Sequence, residues 1–151
     1  MQNWQNITEQ RPTFVSHLEC GLSGEQVPAD QLHGLSSVGR PFLVRYDLAA
    51  LGASLTKETL AARPPDMWRY REFLPVRRTE NVLSLGECMT PIMPAPGVDG
   101  DLWIKDEGRL PTGSFKARGL CLAVSMAKEL GITRMAMPTN GNAGAAMAAY
   151  C

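Results

Sequence analysis

Two short segments of the chain carry residues whose types and spacing suit chemistry. The first is GRLPTGSFK at 108–116. The Gly-x4-Gly spacing of Gly108 and Gly113 has the outline of a phosphate loop, but Ser114 and Phe115 stand where a Lys-Ser/Thr pair is required, and the lysine arrives two positions late. What the segment does offer is Lys116 in the first turn of a strongly apolar helix. Burial and the positive end of the helix dipole both disfavour an ammonium there and favour the neutral, nucleophilic amine, which is the chemistry of a Schiff-base lysine. A lysine whose stem lies along apolar surface with its charged head in water fits the same position.

The second segment is NGNAG at 140–144. It places backbone N–H groups and two side-chain amides at a helix start. Gly141 and Gly144 permit close backbone approach, while Asn142 can donate to or accept from a ligand oxygen. The spacing does not match Gly-x-Gly-x-x-Gly, so the dinucleotide fingerprint is absent. A tight turn with an N-cap accounts for these residues equally well. Two such loops in consecutive strand–helix units point to a shared site, because ligands of open α/β sheets collect where strands end and helices begin.

The elements that must position these loops can be read around them. Residues 102–105 (LWIK) suit a short strand and 106–113 a loop. A helix over about 114–130 is closed by Gly131, and its near-continuous apolar content predicts burial on all sides. Residues 133–137 read as the next strand, 138–144 as a turn, and an alanine-rich helix follows. That alternation predicts an α/β fold with a parallel sheet. Before residue 63 the chain is richer in loops, with one strand candidate at 41–46 and a helix over 56–62 ended by Pro64 and Pro65. A second short helix runs from the N-cap Asp66 to residue 74. Its Trp68, Tyr70 and Phe73 are rings that dock on neighbours.

Composition excludes several classes. Fifteen Lys and Arg balance fifteen Asp and Glu, so the surplus of positive charge that a nucleic-acid binder needs is missing. No apolar run approaches the ~18 residues of a membrane span, and the polar amino end lacks the cationic start and apolar core of a secretory signal. A cytoplasmic protein is expected. Cys20, Cys88, Cys121 and Cys151 fall in no CxxC pair, and the His17/Cys20 pair has no second pair to complete a metal site, so no metal is expected.

LGECMTPI at 85–92, LWIKDEGRLPTGSFKARGL at 102–120 and PTNGNAGAA at 138–146, in this order, resemble the start of the threonine synthase family. These are pyridoxal-phosphate enzymes of the tryptophan synthase β-like fold, fold type II. LVRYDL at 43–48 and MWRYREFLPV at 67–76 look like the family's amino-terminal cap. The resemblance implies an incomplete α/β fold of that type, with a small cap at 1–80 and the first part of the cofactor domain at 81–151. It implies that Lys116 holds pyridoxal 5'-phosphate and later moves protons, and that Asn142 hydrogen-bonds the cofactor's 3' oxygen. Thr112, Ser114 and Asn140 flank these two and would touch cofactor or substrate. The implied reaction turns O-phospho-homoserine and water into threonine and phosphate. The implied partner is a small amino-acid substrate, and the longer protein has room to be a homo-oligomer.

Three positions depart from the family's pattern. Ala117 stands where the family commonly has aspartate, a place where threonine and serine dehydratases also carry small residues. Cys88 replaces a glycine. The cap's paired cysteines are reduced to Cys20, so its zinc-ribbon-like segment should bind no metal. The family's phosphate-cradling loop and the residue facing the pyridine nitrogen would lie beyond residue 151. The expectation is therefore an amino-terminal fragment, inactive by itself, of a threonine synthase. A dehydratase-like lyase and a non-catalytic remnant are the alternatives.

Overall fold

A computed structural model describes residues 12–151. The amino-terminal stretch from which the absence of a secretory signal is read lies outside them. The chain begins with a three-stranded antiparallel sheet of order β2-β1-β3, built from β1 (Val15–Cys20), β2 (Gln26–Val27) and β3 (Phe42–Tyr46). The long pairing runs from Val15↔Tyr46 to Cys20↔Phe42, with a register shift between Val15 and His17. At the end of β1 the chain turns tightly: Gly24 N donates to Cys20 O, Cys20 N donates to Glu25 O, and Ser23 N donates to Cys20 Sγ at 3.5 Å. Hydrogen bonds from the Ser23 and Ser36 hydroxyls lead in bringing the Cys20 thiol down to about 7. Among the described residues no group of three or more His, Cys, Asp or Glu side chains gathers in a way that would hold a metal ion.

Two short helices follow, each started by the side chain the sequence provides. Asp47 caps α1 (Leu48–Ser54) by accepting from Ala50 N, and Thr56 caps α2 (Lys57–Ala61) by accepting from Thr59 N. The segment Met67–Phe73 is capped by Asp66 as expected, but it winds as a 3₁₀ helix with a kink at Tyr70. Its backbone is tied to the sheet, with Phe14 N donating to Glu72 O. A 3₁₀ turn at Thr79–Asn81 leads toward β4 (Ile92–Pro94) and β5 (Trp103–Lys105), which pair antiparallel as a hairpin. After 3₁₀ turns at Glu107–Arg109 and Pro111–Gly113 come α3 (Lys116–Glu129) and α4 (Asn142–Tyr150).

The hydrophobic core lies where these parts meet. Trp68, Val76, Leu110, Ala117, Cys121, Val124 and Tyr150 form one buried cluster, so the 67–76 segment, α3 and α4 share it. Fully burying side chains the size of Val76, Leu110 or Val124 contributes roughly 1.5–3 kcal/mol each. The indole Nε1 of Trp68 and the thiol of Cys121 both donate to Leu83 O, so the polar atoms carried into this core are satisfied. Burial leads in pushing the Cys121 thiol upward, which makes it a packing residue and not a nucleophile.

Three expectations are corrected. The α/β character holds, but the parallel sheet does not form among the described residues, since every strand pairing there is antiparallel. Residues 133–137 form no strand, since none of the described strands pairs with them and a strand needs a neighbour for its backbone groups. Third, α3 is half exposed instead of buried all round. Ala117, Cys121, Val124, Ser125 and Ala127 face the core while Gly119, Ala123 and Lys128 face outward. Small residues on the outer side expose little apolar area, so the apolar sequence and the one-sided burial are compatible. No helix of the described residues is long and apolar enough to cross a membrane.

Candidate active site

The first loop is built so that several polar groups remain unspent. Thr112 has φ +66°, the single non-glycine residue in the left-handed region among those described, and Gly113 follows at φ +69°. For a β-branched residue that conformation costs about 1–3 kcal/mol. Its Oγ1 is buried and has no hydrogen-bond partner, and the same is true of Ser114 Oγ. A buried hydroxyl without a partner costs about 1–3 kcal/mol. Two such groups, beside a strained backbone position and within four residues of Lys116, mark a place where stability has been given up for something else.

Lys116 opens α3. No side chain caps this helix start and its first turn holds no acidic residue, although Lys116 and Arg118 put two cations there. Arg118 is paired with Glu107, so the Lys116 ammonium is the uncompensated cation at this positive helix end, which suits an anion. Lys116 is half buried and its Nζ lies 4.4 Å from the centroid of the exposed Phe115 ring. The ammonium rests on a ring face worth roughly 0.5–1 kcal/mol and has no ion pair or hydrogen bond among the described residues, so little holds it back from another partner.

Arg118 is held firmly by contrast. It donates to Glu107 through Nε at 2.7 Å and through a terminal nitrogen at 3.0 Å, and again to Cys88 O at 3.0 Å. Glu107 also accepts from the Thr90 hydroxyl, and Lys105 Nζ stands 3.6 Å away. The Arg118 hydrogen bonds lead in bringing the Glu107 carboxyl down to about 2. A second carboxylate, Glu87, is fully buried. It accepts from Ser84 Oγ at 2.6 Å, from Leu85 N at 2.9 Å and from the Tyr150 hydroxyl, and so fastens the far end of α4 to the 84–87 loop. Burial would raise the Glu87 carboxyl, yet these donors together bring it below the usual carboxylate range. Sequence reasoning assigned no role to Glu107, Thr90 or Glu87. Only their position inside the quoted motifs could have drawn attention to them.

The second loop differs in a way that revises the sequence reading. Gly141 adopts φ +129°, a conformation that side chains rarely take. At Gly144 an added Cβ would lie 2.6 Å from Thr139 Cγ2. Both glycines thus serve the loop's own packing. Thr139 Oγ1 accepts from Gly141 N at 3.0 Å and from Gly144 N at 2.8 Å, so these amides are already used. Asn140 and Asn142 are exposed, with their side chains free to act outward. The two loops do come together, because α4 packs against both α3 and the Pro111–Gly113 turn.

The site fits the aldehyde cofactor that the sequence resemblance implies. An amine free of any anion at a helix start and two buried hydroxyls without partners are the groups that a phosphorylated aldehyde or an amino acid would satisfy. Lys116, Thr112 and Ser114 would hold it from the first loop, with Asn142 and Asn140 from the second.

Comparison with known proteins bears out the fold type and the cofactor. Residues 83–151 match the family described as pyridoxal-phosphate dependent enzyme. The threonine synthase of Methanocaldococcus jannaschii is 32% identical over 136 residues, covering 87% of this chain and 34% of that protein. The threonine synthase of Halalkalibacterium halodurans is 44% identical over 85 residues, 54% of this chain and 24% of that protein. The 2-amino-4-ketopentanoate thiolase beta subunit of Acetoanaerobium sticklandii is 42% identical over 74 residues, 49% of this chain and 15% of that protein. The chain spans about a third or less of the length of these relatives. No solved structure matches the chain.

Proposed function

We propose, from the place of residues 83–151 in the family of pyridoxal-phosphate dependent enzymes, that the protein is a lyase converting O-phospho-homoserine and water to threonine and inorganic phosphate. The observation that carries this reading is the reach of one similarity. The match to the M. jannaschii threonine synthase covers 136 residues, more than residues 83–151 alone supply, so it runs into the amino-terminal part. The match to the thiolase subunit covers 49% of this chain, against 87% for the threonine synthase. Under this reading residues 1–80 are a cap and residues 81–151 open the cofactor domain. The partner is a small, doubly anionic amino acid.

When bound, the cofactor supplies an electron sink for bond breaking at the substrate's carbons. Lys116 Nζ would hold the cofactor through its aldehyde, and the same amine would take and return protons at the substrate carbons as a general base and acid. Asn142 would hydrogen-bond the cofactor's 3' oxygen. Thr112 and Ser114, whose hydroxyls have no partner, donate to oxygens of cofactor or substrate, and Asn140 assists from the opposite loop.

One observation favours a second reading. Ala117 is fully buried in the core cluster, so the aspartate common in the family would have to sit in an apolar environment here, and a dehydratase-like lyase carries a small residue instead. The products separate the two. In a protein of the relatives' full length that carries this segment, with the cofactor present, phosphate is expected to leave O-phospho-homoserine and threonine to form. Release of ammonia and a 2-oxo acid from threonine, without phosphate release, selects the dehydratase reading and overturns the first.

A further inference from the structure

We propose that Glu107 and Arg118 are a positioning pair for Lys116: they fix the first turn of α3 so that the amine faces its electrophile in one orientation. This rests on the functional reading above.

Three observations lead to it. The start of α3 has no side-chain cap and no acidic residue of its own, so the turn that carries Lys116 is held from within only by the buried Ala117 and by backbone bonds from Ala117 N to Ser114 O and Arg118 N to Phe115 O, both 3.2 Å. Arg118, two residues on, adds a side-chain restraint from outside the helix, through two bonds to one carboxylate and a third to Cys88 O. That fork geometry fixes a plane as well as a distance. Glu107 is itself immobilised by the Thr90 hydroxyl and by Lys105, whose Nζ also donates to Thr90 O at 3.2 Å. The network therefore joins the 88–90 segment, the end of β5 and the helix start at a single carboxylate.

The same saturation rules out a proton-transfer role for Glu107. A carboxylate already taking hydrogen bonds from Arg118 and Thr90, and held down to about 2, neither accepts a proton near neutral pH nor needs to move. Its link to the lysine runs through Arg118, two residues along α3. Lys116 by contrast is restrained only by the Phe115 ring, so its aim depends on the turn that carries it. A misplacement of about 1 Å can cost on the order of 100-fold in rate for a reaction that depends on alignment.

The test compares two reactions of the same amine on the whole chain. Pyridoxal 5'-phosphate with borohydride trapping reads alignment in the loop. A small acylating agent such as acetic anhydride reads exposure alone. Both are followed by mass spectrometry at Lys116, with circular dichroism confirming the fold. In Glu107→Gln the trapping rate should fall at least about tenfold while acetylation stays within about twofold. Glu107→Asp and the exchanged pair Glu107→Arg with Arg118→Glu should each recover part of the loss. Thr90→Val, which loosens the carboxylate without removing a charge, should give a smaller loss of the same kind and serves if Glu107→Gln does not fold. Equal trapping in wild type and variants overturns the proposal. So does a parallel fall in both reactions, which would make the pair a general support of the fold. If the wild type itself is not trapped at Lys116, the functional reading fails first, and that result is distinct from either.

Discussion

The two loops that meet at the site use similar residue types in opposite ways. Both carry glycine, threonine and a helix start. In the second loop the polar groups are spent at home, since Thr139 accepts from two amides and Gly144 leaves room for the threonine methyl. The first loop leaves Thr112 and Ser114 unsatisfied, holds a threonine in a strained conformation and gives its helix no cap. A loop that stabilises itself is a support. His17 Nε2 and Arg69 Nε are buried without a hydrogen bond elsewhere in the chain, but only in the first loop do two such groups stand together beside a strained backbone position, as groups kept for a ligand would.

That contrast can be broken from either side. The largest effect is expected at Gly144→Ala, where the new Cβ would force Thr139 off its position and loosen both of its hydrogen bonds. A loss of about 2–3 kcal/mol is expected from overpacking together with the loss of those bonds, seen as a lower midpoint in urea unfolding. An unchanged midpoint would show that the second loop is not the self-supporting one. The smaller effect has the opposite sign. Thr112→Gly removes a strained threonine and an unpaired buried hydroxyl, so stability should rise by roughly 0.5–1 kcal/mol, after allowing for the extra freedom of glycine in the unfolded chain. If the variant is less stable, the hydroxyl is already satisfied and the first loop is ordinary.

Much of this arrangement is legible in the sequence because local chemistry decides it. Thr56, Asp66 and Gly131 mark helix ends by capping and by a left-handed stop, and each does so in the structure. The hairpin strand at 103–105 follows from a short apolar run. Where long-range contacts decide, the sequence is silent. β1 carries His17 and Glu19 among its apolar residues and becomes a strand through pairing with β3 on the other side of the 21–41 segment. The helix α1 contains Gly52, which reads as a breaker, yet the Asp47 cap and the burial of Leu51 hold it. Residues 133–137 have the composition of a strand and lack the partner. At the site itself the lysine and the two asparagines stand out by type and spacing. Glu107 does not, because its role depends on meeting Arg118 and Thr90 in space, and the unpaired state of Thr112 and Ser114 is visible only once their surroundings are known.

The account's central claim is that Lys116 is the reactive amine. Lys57, Lys105 and Lys128 are the other lysines of the chain, and of these Lys105 donates to Thr90 O and Lys128 to Glu80 O, while Lys57 is exposed. Trapping with pyridoxal 5'-phosphate and borohydride at limiting cofactor, followed by peptide mapping, ranks all four by rate. The account predicts that Lys116 is labelled first and that added phosphate slows it more than it slows Lys57. Labelling led by Lys57, with Lys116 no faster than the engaged lysines, would contradict it.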